Sequence, residues 1–397
     1  MPSRTKHDNR LPFGSGADLK KFLESNLTKS LKQLIKVTVN MMVKEEMREF
    51  RKEMTGEMRS LYFNGSYKRN MKAPLGMIEG VPIPRFRHGV DGYTPNSLSV
   101  FSEQEDQFMQ LIGEMHRLGI SQRKVAKIAK SCFGIKLSAN RVGHVYKQLA
   151  EKEEAILNTK PLTDIYQYIY LDGVWVKTKG YGLDSNKSAL LCALGVTKGG
   201  ERKILGFVVA DSESYDNWHK LILSLKERGM IGKKLKLAIS DGAPGLIKAL
   251  KQLFPQLPHQ TCIMHKMRNV ISSASHKNKK EIGADLKKLY NQPNLEKALL
   301  SFKSFAKKWY LSEPEAIEKL KYHYKETLTY YNFPEKDWKQ MRTNNILERE
   351  FRELRRRIKV FDSSFNDTES AKRYAGTIFT YLNQNYPATR RKLHTKT

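Results

Sequence analysis

The chain has 397 residues and carries 71 Lys and Arg against 41 Asp and Glu, a formal charge of +30. That length allows two or three domains with a sizeable core, and the excess charge, spread along the whole chain, excludes a lone basic tail and points to a polyanionic partner, nucleic acid first. Three cysteines (Cys132, Cys192, Cys262) exclude a disulfide framework, no run approaches the ~20 apolar residues of a membrane span, and the opening MPSRTKHDNR lacks a signal-peptide core, so a cytoplasmic, nucleoid-associated protein without membrane contact is expected.

Residues 1–16 read as a polar tail. From Ala17 to about Met58 the apolar residues Leu19, Phe22, Leu23, Leu27, Leu31, Leu34, Val37, Val39 and Met42 fall at helical spacing among lysines and glutamates. This predicts an amphipathic helix or helix pair, suited to a dimer contact, to DNA binding or to packing on another domain (1–62). Residues 63–100 alternate turn residues with short strand-like pieces (NGSYKRN, PLG, VPIP, RFR), which predicts a small β-rich element with basic side chains. Such a surface suits a phosphate backbone, and equally a solvated loop.

Residues 101–155 predict three short helices. The first ends at Leu118-Gly119-Ile120, Ser121 caps the second (Val125, Ile128 and Ala129 inward), and Ser138 caps the third (Val142, Val145 and Leu149 inward). That is the outline of a helix-turn-helix module. Arg123 on the second helix and Asn140, Arg141, His144 and Lys147 on the third are expected to face outward as DNA contacts. A three-helix bundle with a charged surface and no nucleic-acid role would show the same pattern.

After Pro161 the period switches. Ile165–Lys179 (IYQYIYLDGVWVKTK) is dense in β-branched and aromatic residues and predicts a strand buried on both faces. Asp172 sits in its middle, where a carboxylate must be paired or bind a cation to stay ionised; alternatively the strand ends at Leu171 and Asp172-Gly173 is a hairpin turn. Two more strands, Ser188–Thr197 and Lys203–Ala210, complete a meander. A helix over Tyr215–Arg228 follows, with Trp218, Leu221, Ile222 and Leu225 inward, then a strand over Leu235–Ile239 that runs into Ser240-Asp241-Gly242. The order β-β-β-α-β matches a ribonuclease-H-like α/β fold in which the first and fourth strands are neighbours. Strands ~4.8 Å apart would let Asp172 and Asp241 share cations.

Leu246–Phe254 predicts another helix, and residues 272–338 an all-helical insertion dividing the catalytic core into 156–271 and 339–397. Thr343–Val360 is strongly amphipathic, with Leu347, Phe351, Leu354 and Ile358 as its core stripe. Glu348, Arg352, Arg355 and Lys359 line the adjoining edge, which also fits a plain Glu348–Arg352 surface pair. A closing helix over 368–384 and a basic end (Arg390, Arg391, Lys392) finish the chain.

Three carboxylates thus stand out: Asp172, Asp241 and Glu348. Hard oxygen donors in this number suit Mg²⁺ or Mn²⁺, two ions per site, and an in-line phosphoryl transfer. His259, Cys262 and His265, spaced by three, lack an evident fourth ligand for structural zinc; the alternatives are support of the active site or DNA, and inert burial.

Four blocks in order (YLDGVWVK, SDGAPGL, TCIMHKMRNV and TNNILEREFRELRRR), together with the upstream NGSYKR, PLG and GISQRKVAKI, resemble the DDE transposases of the bacterial insertion-sequence family related to Mutator elements, over about residues 60–385. GVPIPRFR is an imperfect copy of that family's basic strand. The resemblance implies Asp172, Asp241 and Glu348 as catalytic and metal-binding residues, and a helical insertion between the last two. Cys262 and His265 are its hallmark pair, at or near the active site, and Arg268 and Asn269 of the same block join the candidate DNA contacts. It also implies double-stranded DNA as partner, both terminal inverted repeats and target, a homodimer on DNA, and cleavage that frees 3′-OH ends for joining to a target. A DNA-binding regulator descended from such an enzyme and a cellular nuclease of the same fold are the other readings; the intact carboxylates weigh against the first.

Overall fold

The computed structural model describes residues 16–54, 63–73, 76–86, 95–133, 135–178, 187–359 and 365–385. The N-terminal tail, part of the RFR piece and the basic end at Arg390–Lys392 lie outside them. Two compact units are present, residues 1–116 with 120–146, and residues 117–119 with 147–397.

The first unit opens with one long helix, α1 (Gly16–Met54), followed by a hairpin of two eleven-residue strands, β1 (Phe63–Ala73) and β2 (Gly76–Phe86). Residues 63–73 and 76–86 thus form a regular antiparallel pair. Val39, Val43 and Met47, four apart on α1, pack with Met71, Ile78, Val81 and Ile83 of the hairpin. That choice of face corrects the expected stripe: Leu34, Val37 and Met42 turn to solvent, because the hairpin claims the i, i+4 row through Val39. Three helices complete the unit, α2 (Ser99–Arg117), α3 (Gln122–Phe133) and α4 (Ala139–Thr159), the last extending into the second unit. Ser121 and Ser138 accept the backbone N–H groups of Lys124 and Arg141, at 3.4 and 3.1 Å, as N-caps do. Val125, Ala129 and Val142 are buried with Phe108 and Ile112.

The second unit is a mixed five-stranded sheet with helices on both faces. Its strands are β3 (Tyr166–Lys177), β4 (Lys187–Thr197), β5 (Arg202–Ala210), β6 (Leu237–Ser240) and β7 (His259–Thr261), in the order β5-β4-β3-β6-β7. β4 is antiparallel to both β3 and β5, while β6 lies parallel to β3, and β7 to β6. β3 runs straight through Asp172 and Gly173, which pair with Cys192 and Leu191, so the hairpin-turn alternative is excluded. The expected contact between first and fourth strands is present. The fifth strand was not foreseen: three residues, His-Gln-Thr, carry no periodic signal.

One face of the sheet is covered by α5 (Tyr215–Glu227) and α6 (Pro244–Leu253), whose Trp218, Leu221, Ile222, Leu225 and Leu246 join Ile169, Leu171 and Leu191 in a single core. α12 (Asn345–Ile358) meets β3, and α13 (Thr368–Asn385) meets β5, where Phe379 packs edge-on to Phe207 and the Asn383 amide bonds both the N–H and C=O of Ile204. Between the sheet and α12 the ordered elements are α7 (Ile263–Ser273), α8 (Lys279–Tyr290), α9 (Leu295–Trp309), α10 (Pro314–Lys321), two 3-10 turns and α11 (Glu335–Met341).

Candidate active site

The β3–β6 ladder sets Tyr168, Ile169 and Tyr170 level with Leu237, Ala238 and Ile239. Carried two residues further, that register sets Asp172 level with Asp241, one strand spacing (~4.8 Å) away at the backbone. Asp241 follows the last residue of β6, and its Oδ1 accepts the Ala243 N–H at 3.0 Å as the chain turns into α6. Asp172 is buried, and its Oδ1 accepts the Gly173 N–H at 2.9 Å.

Glu348 arrives from α12. Asn344, fully buried at the N-cap of α12, fixes that helix against the sheet. Its side-chain amide donates to the Leu171 carbonyl (2.9 Å), its backbone N–H donates to Cys262 Sγ (3.3 Å), and its carbonyl accepts the Glu348 N–H (3.0 Å). One residue thus joins β3, the start of α7 and α12. It does not cap its own helix through its side chain, unlike most N-cap asparagines. Leu347, Phe351, Leu354 and Ile358 are buried, as their spacing predicted. The Glu348 carboxylate faces His265 Nε2 at 3.5 Å rather than Arg352, so the expected alternative of a Glu348–Arg352 pair is not the arrangement found.

The His259, Cys262 and His265 side chains have separate partners. His259 Nε2 lies 2.7 Å from Ser240 Oγ, and burial holds this imidazole down to about 4. Cys262 takes the Asn344 N–H, and burial pushes its thiol up to about 11, so it is an inert neutral acceptor. The Cys262 N–H donates to the Ser240 carbonyl at 2.7 Å, tying the start of α7 to the residue before Asp241.

The electrostatics follow from this gathering. Burial first, and then the Asp241 charge, push the Asp172 carboxyl up to about 8, with Glu348 and Glu213 adding to the rise. Glu213, in the turn before α5, is itself raised by burial and by Asp241. Among the described residues no three His, Cys, Asp or Glu side chains converge on a common point at ion-binding distance. The donor set nevertheless fits a divalent cation in its chemistry: all-carboxylate, half-buried and mutually repelling, it is stabilised by a hard cation.

The remaining candidates are exposed. Arg123 lies on α3, Asn140, Arg141, His144 and Lys147 on α4, Arg268 and Asn269 on α7, and Arg352, Arg355 and Lys359 on or just beyond α12. Lys147 makes a loose pair with Glu151 at 3.8 Å. Sequence reasoning missed Asn344 and Glu213. The asparagine pair before the Leu-Glu of α12 was a signal for the first; for the second there was none beyond its place ahead of an N-cap serine.

A family model for transposases of the Mutator family matches residues 16–389. The chain belongs to the Mutator family of transposases. Its curated relatives include the transposase of insertion sequence element ISRM5 of Rhizobium meliloti, 27% identical over 96% of this chain and 94% of that one. The transposase of IS256 in transposon Tn4001 of Staphylococcus aureus is 28% identical over 85% of each, and that of IS905 of Lactococcus lactis 26% identical over 80% and 78%. A crystal structure of a pre-cleavage Mos1 transpososome overlaps 64% of this transposase and 89% of its own chain at 9% identity, with a TM-score of 0.19, too slight a likeness to define the fold. The protein is thus a DNA transposase, an enzyme of DNA cleavage and transfer. No helix among its described residues is long and apolar enough to cross a membrane.

Proposed function

We propose that this transposase binds the terminal inverted repeats of its own element, cleaves there to free 3′-OH ends, and joins them to target DNA at a ribonuclease-H-like centre made of Asp172, Asp241 and Glu348. The observation that carries the reading is the parallel β3–β6 register, which brings two aspartates 69 residues apart in sequence level with each other, beside the helix that bears Glu348. Two Mg²⁺ or Mn²⁺ ions at these carboxylates would supply the positive charge that activates the attacking oxygen and stabilises the leaving one.

The chain's own residues do the rest. Asp172 sits within β3 and Asp241 follows the last residue of β6, and Asn344 holds the Glu348 helix to β3. His265, 3.5 Å from Glu348, orients that carboxylate. Exposed Arg352, Arg355 and Lys359 extend from Glu348 along α12, about 1.5 Å per residue, and hold the phosphates flanking the scissile bond. α2–α4 act as the helix-turn-helix reader, with Arg123, Asn140, Arg141, His144 and Lys147 toward DNA, Arg268 and Asn269 add backbone contacts, and two copies pair on the ends.

Incubating the full chain with duplexes carrying the element ends and Mg²⁺, and mapping the cut strand, tests this. A nick exposing a 3′-OH at the element boundary is expected. Tight end-binding with no cut in Mg²⁺ or Mn²⁺ would favour the regulator reading.

A further inference from the structure

The helices between β7 and α12 leave one aromatic ring largely in solvent and yet hold it in place. Tyr322 closes α10 as its C-cap residue and is 56% exposed. Against it lies Lys266 of α7, a lysine with only 6% of its surface exposed. The Lys266 ammonium donates to the carbonyls of Lys319 (3.0 Å) and Tyr322, at the end of α10 where a helix leaves carbonyls without partners. The same ammonium stands 5.6 Å from the centre of the Tyr322 ring.

A second neighbour fixes the ring from another side. His323 follows the cap in the left-handed conformation, φ 51°, where helices most often place glycine. A histidine there meets a steric cost that glycine would not. Its ring stands edge-on to Tyr322, with 4.2 Å between centres and 80° between planes, and its Nδ1 donates to Glu326 at 2.9 Å. Exposed Lys319, Lys321 and Lys325 flank the tyrosine along the chain, and Lys321 pairs with Glu318 at 3.3 Å. An aromatic ring ordered beforehand loses little freedom when a ligand covers it. α7 joins this ring to the candidate active site: His265 faces Glu348, and the next residue, Lys266, holds Tyr322.

We propose that Tyr322 is a stacking platform for an unpaired base of the transposase's DNA substrate, with Lys319, Lys321 and Lys325 attending the phosphates beside it. Every base has a π-face, so such a contact accepts any base and favours unpaired over paired nucleotides. The proposal needs DNA as the substrate and does not depend on which carboxylates act.

The test is binding of the full chain, in chelator, to two duplexes of one sequence, one fully paired and one carrying a single bulged 2-aminopurine. Wild type is expected to bind the bulged duplex more tightly and to quench the 2-aminopurine emission as that base stacks. Tyr322→Ala is expected to weaken binding to the bulged duplex about 5- to 150-fold, the range for one lost base–aromatic stack. It should also abolish the quenching and bind the paired duplex as wild type does. Tyr322→Phe and Tyr322→Trp keep a ring and should keep both the preference and the quenching. Preference and quenching that survive Tyr322→Ala would overturn the proposal, as would a wild type that binds the two duplexes alike. Equal weakening on both duplexes would mark Tyr322 as structural and overturn it as well. With no metal present, none of these outcomes bears on Asp172, Asp241 or Glu348.

Discussion

The properties of single residues here come from carboxylates crowding Asp172 within the buried strand β3. Asp172 ordinarily loses its proton near 3.8, whereas burial and Asp241 hold it in the fold to about 8. Between those values the folded protein binds more protons than the unfolded chain, so stability falls as pH rises. His259 works the other way: held down to about 4 from 6.5, it adds stability that is lost as pH drops through that window. From pH 6.5 to 8 the Asp172 contribution is the larger change of the two, since the unfolded His259 has at most about half a proton left to lose there. In chelator, the melting temperature of the wild type is expected to fall over that interval more steeply than that of Asp172→Asn, as a pH series of thermal melts would show; parallel curves would remove Asp172 as the cause. Asn344 makes a second prediction at this scale. Asn344→Ala strips the buried Leu171 carbonyl of its side-chain donor, which costs about 1–3 kcal/mol. It also loosens the Glu348 helix, so denaturant melts should show the loss and Mn²⁺ affinity should drop with it.

At the scale of elements, what could be read in advance was whatever buried a periodic face. β3 declared itself by its density of Tyr, Ile, Leu and Val, α5 by Trp218 through Leu225, and α12 by the stripe from Leu347 to Ile358. β7 could not be read, because a three-residue strand at a sheet edge owes its state to β6 and not to its own pattern. The placing of Glu213 was hidden for a related reason: its carboxyl meets Gly173, 40 positions earlier, a proximity that only the folded sheet creates. On α1 the helix was legible but its inward face was not, since apolar residues lie on both sides and the hairpin decides between them. The α12 edge yields the prediction at this scale. Arg352→Ala with Arg355→Ala should weaken binding to every DNA sequence alike and lower the log–log salt slope by ~0.9 for each lost phosphate contact. A fluorescence titration across salt concentrations measures it, and an unchanged slope would take α12 off the DNA path.

For the whole molecule, the chain divides into two compact units. The boundary between them falls inside α4, near residue 146. The later part of α4 belongs with the sheet: Asn158 accepts the Phe207 N–H, and the Leu157 carbonyl accepts from Arg228. A fragment of residues 138–397 should therefore fold, keep weak DNA affinity and lose preference for element ends over random duplex, which competition binding would show.

The central claim, that Asp172, Asp241 and Glu348 carry the chemistry and the DNA contacts lie elsewhere, is tested most directly by measuring end-binding and strand cleavage side by side for wild type, Asp172→Asn and Asp241→Asn in Mg²⁺. Each amide removes a charge and almost no volume. End affinity within a few-fold of wild type with cleavage abolished is the predicted result; cleavage that survives either substitution, or DNA binding that disappears in step with it, would contradict the account.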